Sequence, residues 1–274
     1  MPTSALALAL AAAFVHALWN LLLARARDPE AATAVALVVA VVVFAPVAVL
    51  VWRVDVKVWP FIVGTAVFEL AYFALLAGAY RRAELSVVYP LARGTAAVLV
   101  LVFGVVVVGA TTSWLQGAGV VLVGSGVLIL RGTRLRAGAP ELLFGIPIAC
   151  CIATYTLIDK QGIRYATPLS YLELSMVVPA LAYATAIAAF KGRAALRAEA
   201  NASSFVAGLA TFGAYALVLA ALQRASAASV EAVRETSVVI AAGLAGFFLH
   251  ERVGPARMSG AVLVAIGVAL IAVA

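Results

Sequence analysis

The sequence predicts an all-α integral membrane protein with ten transmembrane helices, arranged as two inverted five-helix repeats. The 274-residue chain is 66% hydrophobic and only 11% charged, with a mean hydropathy of +1.14. Soluble domains contain roughly 45–50% apolar and about 25% charged residues. A soluble fold of this size could not bury so much apolar surface. The composition therefore excludes a soluble enzyme, a secreted disulfide-rich protein and a nucleic-acid-binding protein.

Charged residues and turn residues divide the chain into ten apolar segments, each near the roughly 20 residues that a spanning helix needs. An uncharged stretch of 37 residues lies between Arg93 and Arg131, and we divide it at the turn-forming residues 109–114. The predicted spans are 3–24, 32–52, 58–80, 84–108, 112–130, 141–159, 168–190, 203–223, 226–249 and 255–273.

The distribution of basic residues predicts the orientation. The net charge is +7, and the loops after the odd-numbered segments hold 12 Lys and Arg residues against 5 in the loops after the even-numbered ones. Cytoplasmic loops carry the excess of Lys and Arg. We therefore expect a multi-pass protein of the cytoplasmic membrane with both termini outside. Segment 3–24 lacks a basic region before it, so we expect a retained helix and not a signal peptide.

The two halves of the chain resemble each other. A shift of 141 residues places Gly119 on Gly260, Gly126 on Gly267 and Arg93 on Arg234. We therefore expect repeats at 1–136 and 137–274. With five spans in each, the second repeat is upside down relative to the first. Inverted repeats of this kind are typical of secondary transporters, whose substrate site lies near the membrane midplane.

The chain resembles EamA-type transporters of the drug/metabolite transporter superfamily. The resemblance rests on the length, the ten spans, the sequence FFLHERV at 247–253 and the glycine-spaced last segment from Ser259 to Gly267. The first half has Ala110 where the second has Glu251, so this loop signature occurs once. The resemblance implies a proton-coupled or exchanging carrier of small metabolites, often an exporter.

Two arginines lie deep inside predicted spans, where a charge costs at least about 2.5–3.5 kcal/mol. Arg93 follows Tyr89 and Pro90 in the fourth span, and Arg234 precedes Glu235 in the ninth. A guanidinium pair could bind a carboxylate, phosphate or phosphonate in a bidentate way. The alternative is internal pairing, of Arg234 with Glu231 or Glu235 and of Arg93 with Glu69.

Polar side chains in the first and third spans complete the predicted substrate site. Glu69 lies halfway along the third span with Tyr72 on the same face, and it is a candidate for proton binding or a structural hydrogen bond. His16, Trp19 and Asn20 share one face of the first span, where they could bind ligand or proton, or join neighbouring helices. Asp159, at the end of the sixth span, is expected to be solvated.

We therefore expect a secondary transporter of a small polar metabolite, anionic or zwitterionic, with Arg93 and Arg234 on the oxyanion. Tyr89, Tyr72, Trp19, Asn20 and Glu235 would complete the substrate site, and Glu69 or His16 would take the coupling proton. The expected partners are substrate, protons and lipid. No cofactor, metal or nucleic acid is expected, and the oligomeric state stays open. The alternatives are an exporter of cationic or aromatic compounds, a lipid translocator and a membrane-embedded enzyme.

Overall fold

The computed structural model describes residues 1–83, 85–130, 138–240 and 255–274. Within these ranges the chain is almost entirely helical. The helices are α1 (Thr3–Ala24), α2 (Pro29–Leu50), α3 (Trp59–Arg82), α4 (Leu85–Val106), α5 (Trp114–Leu130), α6 (Ala139–Gly162), α7 (Pro168–Lys191), α8 (Arg193–Ala198), α9 (Ala202–Leu222), α10 (Ala227–Arg234) and α11 (Pro255–Val273).

Nine of the ten predicted segments coincide with helices to within three residues at either end. In the described part of the chain, six helices are long and apolar enough to cross a membrane, and three further apolar helices are shorter. The ninth segment differs, since α10 stops at Arg234 and helical backbone resumes over 236–240. The rest of that segment and the FFLHERV sequence lie outside the described residues. A total of ten spanning helices therefore stays a prediction.

Polar capping residues and prolines define where several of the helices begin. The Asp28 carboxylate accepts a hydrogen bond from the Ala31 N–H at 3.1 Å at the start of α2, whose first residue is Pro29. Such caps satisfy the backbone N–H groups that lack a partner in the first helical turn. Proline suits the first helical position because its missing N–H is not needed there. Side-chain caps of the same kind come from Thr167, Asn201 and Ser226.

Helix packing between the two halves of the chain is reciprocal. Helix α1 packs against α9, and α3 packs against α6. In predicted spans these are the pairs 1 and 8 and 6 and 3, and a shift of five spans turns one pair into the other. Helices α2 and α7 also pack against each other, as do α5 and α11. A two-fold relation between two halves produces such matched contacts. The packing is therefore that expected of two similar five-helix units.

Glycines allow α5 and α11 to approach closely. A Cβ atom on Gly119 would lie 2.7 Å from the carbonyl oxygen of Gly267, and one on Gly126 would lie 2.7 Å from that of Gly260. These contacts are reciprocal, because the 141-residue shift relates Gly119 to Gly260 and Gly126 to Gly267. Small residues at such positions permit close van der Waals packing of membrane helices.

The segments 51–58 and 163–167 join at one end of the bundle, which we call the zipped end. Val54 and Ala166 form an isolated antiparallel β-bridge. The Asp55 N–H donates to the Tyr165 carbonyl at 2.8 Å, and the Thr167 N–H donates to the Arg53 carbonyl at 3.1 Å. These backbone hydrogen bonds hold the α2–α3 and α6–α7 connections together.

The opposite end, which we call the mouth end, contains the α1–α2 connection. The Lys191 ammonium pairs with the carboxylates of Asp28 and Glu30, and the Glu199 carboxylate accepts from the Asp28 N–H at 3.0 Å. Burial raises the pKa of Asp28, but the hydrogen bonds from Lys191 and from the Ala31 N–H outweigh it, so this pKa lies below its ordinary value. This cluster links α2 to α7 and to the segment after α8.

We predict that Gly126→Ala lowers the melting temperature of the purified protein, whereas Gly117→Ala does not. The added methyl group at 126 meets a backbone carbonyl, and overpacking costs about 1–3 kcal/mol. At position 117 the nearest atom, Leu101 Cδ2, is 4.0 Å from the added Cβ. Replacing glycine by alanine raises the helix propensity equally at both positions. A difference between the two melting temperatures in detergent therefore reports the packing effect alone. Equal melting temperatures would contradict close packing of α5 on α11.

Candidate functional site

A cavity of about 410 Å³ lies inside the helix bundle. Residues of α1, α2, α3, α4, α6, α7, α9 and α10 line it. Near the mouth end its wall contains the partly exposed residues Asn20, Pro29 and Thr33. Apolar and aromatic side chains form most of the wall, and the polar groups are few. Ligand sites in proteins commonly have this composition.

Seven of the nine predicted site residues line this cavity. They are His16, Trp19, Asn20, Glu69, Tyr72, Arg93 and Arg234. Glu235 is fully buried and lies behind the cavity wall, where it contacts Arg93. The side chain of Tyr89 lies outside the described part of the structure, and so does that of Pro90. The backbone of α4 continues through Pro90 as helix. The fold therefore brings residues that are up to 218 positions apart to one site.

An ion pair joins the two halves of the chain at the cavity wall. Arg93 Nη2 lies 2.8 Å from Glu235 Oε1, and Arg93 Nε donates to Glu235 Oε2 at 3.3 Å. The guanidinium group thus makes one charge-assisted hydrogen bond and one close ion contact with this carboxylate. The structure thus pairs Arg93 with Glu235. The alternative from the sequence paired Arg93 with Glu69, and the structure does not show that pair. The difference arises because α4 packs against α10, and it makes little contact with α3.

The second arginine pairs within its own helix. Arg234 Nη2 donates to Glu231 Oε1 at 2.8 Å, as one of the sequence-based alternatives expected. Helix α10 ends at Arg234, and the regular helix is interrupted at Glu235 before it resumes at 236. Transporters commonly interrupt helices at their binding sites. The buried Nε of Arg234 has no hydrogen-bond acceptor among the described residues, so this guanidinium retains donor capacity at the cavity.

One face of α1 forms part of the cavity wall, as its spacing predicted. The rings of His16 and Trp19 make an edge-to-face contact with centroids 4.8 Å apart. The Asn20 amide donates to the His16 backbone carbonyl at 2.9 Å, so it bonds within its own helix. The buried Trp19 indole N–H has no acceptor in the described part of the chain. Trp19 therefore adds a second donor at the cavity wall.

Glu69 brings a carboxyl group to the cavity. Its side chain is buried, and no ion pair involves it among the described residues. Tyr215 lines the same cavity. Tyr72 and Phe73, with ring centroids 5.2 Å apart, line the same part of the wall. The cavity thus offers an acceptor at Glu69 and donors at Arg234 and Trp19.

The model of the EamA-like transporter family matches this sequence twice, at residues 3–132 and 139–273. This chain belongs to the EamA-like transporter family. It is therefore a multi-pass membrane protein that transports small molecules, and the sequence-based resemblance is confirmed. No curated protein matches the chain. A solved structure titled only "Crystal structure of protein" shares the fold, with a TM-score of 0.79 and 16% identity over 100% of this chain and 99% of that one.

This EamA-like transporter has one buried carboxylate that the sequence analysis placed wrongly. Asp159 was expected to be solvated at the end of its span, but it is 0% exposed. Helix α6 continues past it to Gly162, and the joined loops of the zipped end lie beyond. A sequence signal did exist, because Tyr155, Thr156 and Asp159 fall on one face of the helix.

We predict that the Arg93–Glu235 pair shows strong coupling in a double-mutant cycle. Arg93→Gln alone leaves a buried carboxylate without its cation, and breaking a buried pair costs about 3–5 kcal/mol. Glu235→Gln alone leaves the guanidinium without its anion. The double variant removes both charges and should recover much of the lost stability. Melting temperatures of the four proteins in one detergent measure the coupling. Purely additive losses would contradict a direct pair.

Proposed function

We propose that this protein is a proton-coupled or exchanging secondary transporter that moves a small zwitterionic metabolite with an apolar or aromatic body. The observation that carries this proposal is the chemistry of the cavity wall. It offers hydrogen-bond donors at Arg234 and Trp19, a carboxyl group at Glu69, and an otherwise largely apolar lining. An oxyanion matches the donors, an ammonium group matches Glu69, and the remaining surface suits an apolar side chain.

The ion pairs favour a zwitterion over a simple anion. Arg93 is neutralised by Glu235, and Arg234 by Glu231. Among the described residues, the cavity wall therefore has no excess positive charge with which to attract an anion. A zwitterion brings its own compensating charges and can use the remaining donor capacity of Arg234. This narrows the expectation from the sequence, which placed anions and zwitterions together.

A cationic or aromatic compound is the second candidate substrate. The same ion pairs favour this candidate. In it, the two arginines only neutralise Glu235 and Glu231, and Glu69 binds the cation. Aromatic rings from Trp19, Tyr72, Phe73, Tyr155 and Phe212 line the cavity and suit such a ligand through cation–π contacts. We propose no enzymatic activity, because the family consists of transporters.

We further propose ten spanning helices in two inverted repeats, 1–136 and 137–274. The reciprocal packing of α1 on α9 and α3 on α6 supports this arrangement, as do the matched glycine contacts of α5 and α11. Lys and Arg are concentrated in the loops after odd-numbered spans. We therefore propose that the mouth end faces the cytoplasm and that both termini lie outside the cytoplasmic membrane.

Three compounds with the same apolar body test the substrate class by thermal shift. They are a free amino acid, its N-acetyl derivative, which is only anionic, and its amide, which is only cationic. We predict that the amino acid stabilises the protein most. At 100 times its dissociation constant it should add about 2.7 kcal/mol. Stabilisation by the amide alone would favour the cation exporter, and stabilisation by the N-acetyl compound alone would favour an anion carrier.

Arg234→Gln is the matched variant for this panel. It removes the guanidinium donors from the cavity and leaves Glu69 in place, so the shift caused by the amino acid should fall while that caused by the amide should persist. Glu69→Gln should have the opposite pattern. Equal responses of both variants to all three compounds would show that the ligand does not contact these groups.

Glu69→Gln should also abolish the proton dependence of transport. Glutamine keeps the size of the side chain but cannot bind and release a proton. Uptake or efflux in proteoliposomes with and without an imposed pH gradient measures this. Glu173→Gln is the control, because Glu173 is another buried carboxyl that does not line the cavity. If Glu69→Gln keeps the full response to the gradient, Glu69 is not the coupling group.

A further inference from the structure

The buried Asp159 carboxylate is held by hydroxyl groups from three other helices. Thr65 Oγ1 of α3 donates to Oδ1 at 2.6 Å, the Tyr171 hydroxyl of α7 donates to Oδ1 at 3.0 Å, and the Tyr215 hydroxyl of α9 donates to Oδ2 at 2.5 Å. No ion pair reaches Asp159 in the described part of the chain. We call Thr65, Asp159, Tyr171 and Tyr215 the hydroxyl cluster.

The neighbouring lysine does not supply the missing cation. Lys160 Nζ donates to the carbonyl oxygen of Leu222, the last residue of α9, at 2.5 Å and to that of Ala225 at 2.9 Å. Hydrogen bonds to an ionised group are about twice as strong as neutral ones. Three such bonds, supplied by three helices, therefore fix the relative positions of α3, α6, α7 and α9.

The hydroxyl cluster lies between the cavity and the zipped end. Thr65, Asp159 and Tyr171 are each 0% exposed and do not line the cavity, whereas Tyr215 does. The paired segments 51–58 and 163–167 lie beyond it. Two layers thus separate the cavity from the zipped end, first the cluster and then the joined loops.

We propose that the hydroxyl cluster is the gate of the zipped end, and that Asp159 is the positioning residue that keeps it closed. Thr65 belongs to the first repeat, while Asp159, Tyr171 and Tyr215 belong to the second. An opening toward the zipped end between the repeats has to separate these groups. The inference goes beyond the proposed function, since it holds for any substrate that enters the cavity.

Tyr215 connects this gate to the cavity. A phenol has one hydrogen to donate, and here it goes to Asp159. Tyr215 also lines the cavity, as Glu69 does. An acceptor in the cavity, from Glu69 or from a ligand oxygen, competes with Asp159 for this hydrogen. Occupancy of the cavity then removes one of the three bonds that hold the gate.

A single reporter cysteine tests the gate without any substrate. Met176 lines the cavity, so Met176→Cys is introduced in a background with Cys150→Ser and Cys151→Ser. A membrane-impermeant maleimide is applied to right-side-out or inside-out membrane vesicles. With the cluster intact, we expect labelling chiefly from the mouth end. Tyr215→Phe should raise labelling from the zipped end by roughly tenfold, the effect of losing one hydrogen bond to a charged group. Asp159→Ala, which removes all three bonds, should raise it further.

Thr156→Val is the matched control. It removes a buried hydroxyl one helical turn before Asp159, and this hydroxyl has no hydrogen-bond partner among the described residues. Labelling from the zipped end should stay at the level of the parent protein. Asp159→Ala removes three hydrogen bonds between helices and so also weakens the bundle as a whole; the conservative Tyr215→Phe therefore decides the question. If Tyr215→Phe is labelled from the zipped end no more than Thr156→Val, the gate proposal is overturned, while the substrate proposal is unaffected.

Discussion

The ion pair between Arg93 and Glu235 is the interaction on which the site depends. A lone guanidinium at this depth would be costly in a bilayer, and so would a lone carboxylate. The pair joins α4 to the interruption after α10. It compensates both charges and ties the first half of the chain to the second. It also leaves the neighbouring Arg234 directed at the cavity, where Glu231 of the same helix compensates its charge.

The site is less symmetric than the fold around it. The glycine contacts between α5 and α11 are related by the same 141-residue shift that relates Arg93 to Arg234. The arginines nevertheless pair differently, one across the halves and one within its own helix. The shift of 143 residues that relates Tyr72 to Tyr215 places Glu69 on Phe212, and both line the cavity. One repeat thus supplies a carboxyl group where the other supplies an aromatic ring, which suits a ligand with one polar and one apolar end.

The sequence predicted helix positions well because each span is limited by physical signals. Charged loops, prolines at the first helical position and Asp or Thr caps mark the ends of α2 and α7 in the sequence itself. The face of α1 that bears His16 and Trp19 was predictable for a similar reason, since helical spacing alone determines which residues share a face. These features depend on local sequence, and the structure places both residues at the cavity.

Pairings between distant helices were not predictable in this way. The partner of Arg93 depends on which helices pack together, and α3 was a reasonable neighbour for α4 by chain order alone. Asp159 was misplaced because a charged pair such as Asp159–Lys160 at the end of an apolar span usually marks the membrane surface. Here the loops on either side of the zipped end join over it, so that the carboxylate is buried and hydroxyl groups replace water.

The two ion pairs also explain how a buried arginine can be both structural and able to bind. A guanidinium carries five N–H donors in a fixed plane, and one carboxylate uses at most a few of them. For Arg234 the pair with Glu231 occupies Nη2, while Nε remains without an acceptor among the described residues. For the proposed zwitterionic substrate, the oxyanion would bind at this unused edge without breaking the pair. Under the proposed function, the same pair would disfavour a ligand with net negative charge, because such a ligand adds a charge that nothing in the described wall neutralises.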